Sequence, residues 1–371
     1  MEQVILYGAP HSLYTGKTRS YLRKQGIAYV ERAADPRFRA EIVPAIGRAI
    51  IPVVALPDGT IVQDTADILD HFERAGVRVS AYPAGPRQRI LAHIAELYAV
   101  VVLTRHAMHY RWSYAGEQER FLIYAFAGGS GDTDAVMARM RSYLPMLGVT
   151  PATIAAIEES YLSLLDLLEA HFAAHPYLLG GQPSIGDYGL FGPLFAHLGR
   201  DPAPADIMKR RAPKVFRWVE RMNAPDPDLP EYGDYTPAFL PGDEIPGTLT
   251  PLFRHMADEL FPELTDKVAM MCRYVAEVDP QEGAPVTDKP HRRVIGSVET
   301  AFRGVGFDSG VQPYIFYLWQ RITDAFDALA APEAKEARDW LERVGLAPLL
   351  DARRPIRVER RNHIEVWGRR L

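Results

Sequence analysis

The chain has 371 residues, 47% hydrophobic and 24% charged, with a formal net charge of −5 and a single cysteine. That length holds roughly two to three domains with ample core, and the mild acidity argues against a global basic field for nucleic acid or an anionic membrane. One cysteine, Cys272, excludes an intrachain disulfide, a Cys-x-x-Cys redox pair and a cysteine-rich zinc site.

Residues 3–7 (Gln-Val-Ile-Leu-Tyr) carry a strand pattern that stops at Gly8-Ala9-Pro10. The start Met1-Glu2-Gln3 enters that strand without a signal-peptide layout, so no targeting segment is expected. A helix is expected over 13–24, with Leu13, Tyr14, Tyr21 and Leu22 as its apolar or aromatic positions, ending at Gly26. Residues 27–30 give a second strand, reached through a right-handed crossover. A polar stretch with Pro36 and Pro44 leads to Ile50-Ile51-Pro52-Val53-Val54, β-branched on both sides of a proline. Proline removes a ladder donor and fits only strand edges, starts or bulges. A cis Ile51–Pro52 bond is one resolution, since the cis form is cheap only before proline. It would leave the N–H and C=O of Ile51 free to pair with an extended peptide ligand. Asp58-Gly59 marks a hairpin turn returning through Thr60-Ile61-Val62, and Gln63-Asp64-Thr65 opens a helix to residue 72. The order is β-α-β-α-β-β-α.

Beyond Pro86 the strand signals nearly vanish. Apolar spacing predicts helices over 89–106, 133–147, 150–171, 184–197 and 213–222. The apolar run 97–104 falls short of the roughly 20 residues that a bilayer requires. Gly128-Gly129-Ser130-Gly131 lacks Gly-Lys-Ser/Thr at the phosphate-loop offset and reads as a turn. Residues 223–251, rich in Pro, Asp and Gly, read as an ordered crossing loop. Further helices are expected near 252–278, 293–302, 311–329 and 332–344, then a short strand at 356–360. Cys272, beside Met270 and Met271, reads as a buried filler. Arg353, Arg354, Arg357, Arg360, Arg361, Arg369 and Arg370 read as a salt-bridged or solvated tail.

Four segments, taken in order, are Leu6-Tyr7-Gly8-Ala9-Pro10-His11-Ser12-Leu13-Tyr14-Thr15-Gly16-Lys17-Thr18-Arg19, Ile51-Pro52, Asp64-Thr65 and Ser184-Ile185-Gly186-Asp187-Tyr188. Together they resemble the cytosolic glutathione transferase family, with a serine-type active site and a long C-terminal extension. The resemblance implies an α/β thioredoxin-like N-terminal domain (1–78), then an all-α glutathione transferase C-terminal domain (86–230). The remainder (231–371) would be an extension of extra helices packed on the helical domain. It also implies a two-fold homodimer, while composition, charge and the single cysteine lead to the expectation of a cytoplasmic chain without nucleic-acid or membrane partner. The activity implied is binding of reduced glutathione as co-substrate and attack of its thiolate on the electrophilic carbon of an apolar substrate. A glutathione transferase-like binding or scaffold protein without turnover is the alternative, and the extension is the feature that favours it.

Ser12 occupies the family's catalytic serine or cysteine position. An alkyl thiol titrates near about 8.5, so a hydroxyl donor beside helix N-terminal dipoles would stabilise its anion at neutral pH. Ser12 is equally a common N-cap residue. Tyr7 and Tyr14 are rival donors or substrate contacts, Tyr7 otherwise packing behind the strand. Asp64 suits the γ-glutamyl ammonium of glutathione, and Thr65 with the helix N–H groups suits its α-carboxylate. Ile51 and Pro52 would hold the cysteinyl backbone. Lys17 and Arg48 stand either as anion-binding cations or as solvated surface charges. His106, His109, Tyr110 and Arg111 lie where the family builds its electrophile pocket; core packing is the other reading. The two histidines lack a third metal ligand, so no metal is expected. Ser184-x-x-Asp187 reads as the capping box of a buried helix, with no part in catalysis.

Overall fold

The computed structural model describes residues 3–127, 132–233, 235–289, 291–352 and 354–371. The 128–131 turn and Arg353 of the sequence reading lie outside them. Strand β1 (Val4–Tyr7) leads into α1 (Leu13–Lys24), and β2 (Tyr29–Arg32) returns beside β1 in parallel. A π-type turn (Phe38–Ile42) and a short α2 (Val43–Ile46) precede β3 (Val53–Ala55), β4 (Ile61–Val62) and α3 (Thr65–Ala75). The sheet order is β2-β1-β3-β4, with β3 antiparallel to both neighbours. Period-two alternation sorts its residues. Ile5, Tyr7, Val53 and Ala55 pack with Phe38, Ile42 and Ile46 on one face. Leu6 and Val54 face the main core with Tyr21, Leu22, Ile68 and Leu69.

The helical part begins with α4 (Pro86–Tyr98), which continues through a π-type turn (Ala99–Leu103) into α5 (Thr104–Ser113). Pro86–Ser113 is thus one 28-residue helix, apolar enough by composition to cross a membrane, yet its most apolar window is 94% buried inside the protein. A helix apolar all round is a central core helix. There follow α6 (Glu119–Ala127), α7 (Thr133–Arg141), α8 (Ile154–Phe172), α9 (Ile185–Ala196), α10 (Pro202–Arg211) and α11 (Pro213–Asn223). The capping box of α9 is formed: the Ser184 backbone N–H donates to Asp187 Oδ2 at 2.9 Å and the Asp187 N–H to Ser184 Oγ at 3.4 Å. Helix α9 lies so close to α4 that a Cβ on Gly189 would sit 2.8 Å from Glu96 Cα.

Two corrections concern the extension. The predicted 252–278 helix is two, α12 (Leu249–Leu260) and α13 (Glu263–Val278), parted at Phe261–Pro262, because proline cannot continue a helical ladder. The predicted 293–302 helix is a strand, β5 (Gly296–Phe302), paired with β6 (Val305–Val311). Its turn residues Arg303 and Gly304 both have positive φ, as a tight two-residue hairpin requires. After α14 (Pro313–Asp327), α15 (Ala331–Arg343) and α16 (Pro348–Asp351) comes a second hairpin, β7 (Ile356–Arg361) and β8 (Ile364–Arg370). Strand β7 fulfils the expectation at 356–360; β8 was not anticipated. The added region therefore contains sheet as well as helix. It packs on α4 through α14 and reaches the N-terminal sheet unit as well.

Candidate functional site

Three segments converge at one end of the N-terminal sheet. Tyr7 pairs with Val53 and Val54 with Val62, so the same registers carried outward set Pro52 opposite Gly8 on one side and Asp64 on the other. The Ile51–Pro52 bond is cis. Ser12 caps α1 with extended backbone, its Oγ accepting the Thr15 N–H at 3.3 Å. It is partly exposed. Two guanidinium groups hold the loop before it: Arg19 Nη2 donates to Ala9 O at 3.2 Å and Arg111 Nη1 to His11 O at 3.0 Å. Asp64 caps α3, its Oδ1 accepting the Ala66 N–H at 3.4 Å and the Thr65 hydroxyl at 3.2 Å.

The Asp64–Thr65 end of this arrangement is filled by the C-terminal region. Tyr314 Oη of α14 donates to Asp64 Oδ1 at 2.6 Å. Arg360 of β7 donates to Asp67 Oδ2 at 2.6 Å, to Gln63 O at 2.9 Å and to Glu365 Oε1 at 2.7 Å. Arg48 donates to His363 O at 2.8 Å and pairs with Glu365 at 3.4 Å. Burial works against the charge of Asp64, but Arg360, the Tyr314 hydroxyl, Arg293 and Lys17 together hold its carboxyl below the usual value. Asp67 is raised by burial despite Arg360. Asp64 is 9% exposed and Thr65 2%. The cavity bounded by Leu13, Tyr14, Lys17, Thr65, Glu96 and Tyr314 has a volume of about 20 Å³. That is room for a water or two, whereas a small-molecule cleft needs roughly 300 Å³ or more.

Lys17 and Arg48 are therefore not solvated surface cations. Lys17 Nζ meets Glu96 Oε1 at 2.5 Å, both side chains buried. Burial opposes the charge of Glu96, but Lys17 and His93 hold its carboxyl far below the ordinary range. Tyr14 lines the small cavity with an edge in solvent. Tyr7 does not reach the mouth. It packs behind the sheet, its ring 5.3 Å from Phe38.

The electrophile-pocket expectation meets a packed core. His106 is fully buried, its ring nitrogens at 3.0 Å from Val102 O and 2.6 Å from Ser160 Oγ. His109 lies between Glu158 and Ser113, and Tyr110 stacks on Tyr114. Arg111 forms a two-pronged pair with Asp201 at 2.6 and 2.7 Å. These side chains build the helical core, and Arg111 fixes the loop that carries Ser12. The physical reason lies in α4–α5 being buried on all sides, which leaves its aromatic turn no solvent face. Among the described residues no group of three or more His, Cys, Asp or Glu could hold a metal ion.

Sequence reasoning did not assign Tyr314, Arg360, Glu365, Glu96 or Gln63 to the site. Gln63 adjoins Asp64 and was legible as a neighbour; the others lie far along the chain with no local signal. Of the arginine-rich tail, Arg360 is buried in ion pairs, and Arg357 and Arg361 are salt-bridged near the surface. Cys272, expected as a buried filler, is half-buried against the core. A second, larger cavity of about 830 Å³ lies apart from these segments, between α8, α12 and the β5–β6 turn. Glu159, His255, Glu259 and Arg303 are among its walls.

Residues 6–77 match the family model described as glutathione S-transferase, N-terminal domain, and residues 151–221 the one described as glutathione S-transferase, C-terminal domain. No curated protein matches the chain. Among solved structures it is similar to a glutathione S-transferase from Xanthobacter autotrophicus Py2, at 22% identity, covering 67% of this chain and 99% of that one, TM-score 0.34. A GST-like protein from Pseudomonas syringae is 18% identical, covering 66% and 79%, TM-score 0.43. A glutathione S-transferase from Methylobacterium radiotolerans, solved with glutathione sulfonate, is 20% identical, covering 64% and 96%, TM-score 0.39. The fold is a thioredoxin-like N-terminal unit of glutathione S-transferase type, then a helical unit, with additional C-terminal elements.

Proposed function

We propose that this chain, with both glutathione S-transferase domain types matched, is a glutathione transferase that binds reduced glutathione at the shared end of β1, β3 and α3. One observation carries the reading. The pairing registers bring the Ser12 loop, Ile51–Pro52 and Asp64–Thr65 toward one end of the sheet, although Ser12 and Thr65 are 53 positions apart in sequence.

In this reading the cysteinyl main chain of the ligand pairs with Ile51. Its γ-glutamyl end lies against Asp64, Thr65 and the first turn of α3. The sulfur stands at the start of α1, where unpaired N–H groups and their dipole favour an anion. Ser12 Oγ donates to that sulfur, and the ionised thiol attacks an electrophilic carbon of an apolar substrate. Lowering the thiol pKa from about 8.5 to about 7.5 raises the thiolate fraction at neutral pH roughly eightfold, and the gain levels off once the pKa falls below the pH. Lys17 and Arg48, each already paired with a buried carboxylate, Glu96 and Glu365, would meet the ligand's carboxylates only by sharing that partner. Cytoplasmic location and a two-fold dimer belong to the same proposal.

A second reading is a glutathione transferase-like scaffold without turnover, and the burial of Asp64 and Thr65 under Tyr314 favours it. Retention on immobilised glutathione, then conjugation of an aromatic chloride, separates the two. The enzyme reading expects both retention and turnover, with turnover lost and retention kept in Ser12→Ala. Retention without turnover across several electrophile classes supports the scaffold.

A further inference from the structure

We infer that Tyr314 and the tip of the β7–β8 hairpin form an intramolecular latch over the γ-glutamyl subsite, so that latch docking and glutathione binding exclude one another. The inference rests on the glutathione reading above and adds a regulation of the same site.

The latch answers the chemistry of the ligand it would displace. A γ-glutamyl end offers Asp64 a cationic hydrogen-bond donor. In this structure Asp64 receives the Tyr314 hydroxyl instead, and Arg360 brings a cation against the neighbouring Asp67 and Gln63. The cover is polar where it meets the subsite: Tyr317 Oη also donates to Asp67 at 3.1 Å, and Arg48 grips the hairpin through His363 O and Glu365. Such contacts can be exchanged for those of a polar ligand, which an apolar plug could not offer. Little space is left beside Thr65, where the cavity bounded by Tyr314 is about 20 Å³, too small for the end of a tripeptide.

The parts that hold and the parts that yield are distinct. Gln320 of α14 clamps β7 through both its amide atoms, donating to Val358 O at 2.8 Å and accepting the Val358 N–H at 2.7 Å. Val358 and Trp367 anchor the hairpin base in the core. The tip differs, with Arg361 and Asn362 exposed and Asn362 and His363 at positive φ. Release therefore needs the tip to lift and the Tyr314 side chain to turn, while the base stays in place. If the open form is a small fraction of the molecules, the apparent affinity for glutathione is weaker than the intrinsic one by that same fraction.

The test uses the full chain, reduced glutathione, calorimetric affinity and hydrogen exchange over residues 356–370. Tyr314→Phe deletes one hydroxyl, and Arg360→Gln removes the latch cation. Each is expected to bind reduced glutathione at least tenfold more tightly than the unaltered protein. Saturating glutathione is expected to accelerate exchange at 360–365 in the unaltered protein. Equal affinity in all three, with unchanged exchange at the tip, overturns the latch and leaves the glutathione reading standing. Absence of binding even where exchange shows the tip released overturns both. Should Arg360→Gln fail to fold, by circular dichroism, Tyr314→Phe and the exchange of the unaltered chain decide the matter alone.

Discussion

Replacing Ser12 by alanine removes both the hydroxyl that caps α1 and the donor proposed for the sulfur. Loss of a cap costs about 1 kcal/mol of stability. Ser12→Asn separates the two roles, because asparagine caps as well as serine but places an amide where the hydroxyl stood. We expect Ser12→Asn to keep its urea midpoint within about 0.5 kcal/mol of the unaltered chain while conjugation falls at least tenfold. Activity retained in Ser12→Asn would make the residue a cap only. The segment read as an electrophile pocket predicts something different. Arg111→Met strands Asp201 as a buried unpaired carboxylate, at a cost of about 3–5 kcal/mol, measurable by urea denaturation.

Buried histidines set the acid limb of stability. Burial lowers His106 to about 4, and His11 and His171 to about 3, from an ordinary 6.5. The unfolded chain then takes up protons that the folded chain refuses, so stability falls as pH drops from 6.5 toward 4. Glu259, held at about 2 chiefly by its hydrogen bond to His255, and Glu263, held at about 2 by Lys267 and Arg105, both against burial, extend the loss below 4.5. Asp187, raised to about 6 by burial, acts the opposite way, as do Asp67 and Asp201, which burial raises against their arginine partners. Urea midpoints are predicted to fall between pH 7 and pH 5; a flat profile down to pH 4.5 would contradict this. At this scale the sequence disclosed residues whose duty is local. Ser12, Asp64 and the Ser184–Asp187 box declare themselves by the helices they open. Tyr314 and Arg360 act on residues about 250 and 293 positions away, and no local pattern marks them.

Elements behave as their packing dictates more than as their propensities do. A glycine inside a helix normally gains about 1 kcal/mol on replacement by alanine. Gly189 reverses that sign, because its missing Cβ is what lets α9 lie against the α4 backbone. Gly189→Ala is predicted to lower stability by about 1–3 kcal/mol as an overpacked contact, read from the denaturation midpoint. An unchanged or raised midpoint would show that the two helices can separate at little cost. The element order of the first 75 residues was legible because turns, caps and period-two runs coincide there. The two C-terminal hairpins were not, since their turns are Arg303-Gly304 and Asn362-His363, outside the usual Asn-Gly or Asp-Gly signature. Their short apolar runs were open to either period.

Across the whole molecule the extra C-terminal region is part of the core. Leu318, Trp319 and Ile322 of α14 belong to the same buried cluster as Ile90, Ile94 and Leu97 of α4. A chain ending at residue 247 would expose that face of α4. We predict that it aggregates or loses cooperative unfolding, whereas a soluble fragment with a sharp transition would make the extension an independent unit. The sequence, through its family resemblance, led to the expectation of extra C-terminal elements, and the fold has them. It could not announce that the extension closes on Asp64, because that depends on the tertiary meeting of a hairpin tip with the start of α3. The central claim is that reduced glutathione lies along this sheet end with its sulfur at Ser12. A crystal structure of the full chain with reduced glutathione bound tests it most directly. The sulfur is expected within hydrogen-bond reach of Ser12 Oγ, the γ-glutamyl end at Asp64 and Thr65, and the Arg360–His363 tip displaced. Glutathione seated elsewhere, or Ser12 turned from the sulfur, would contradict it.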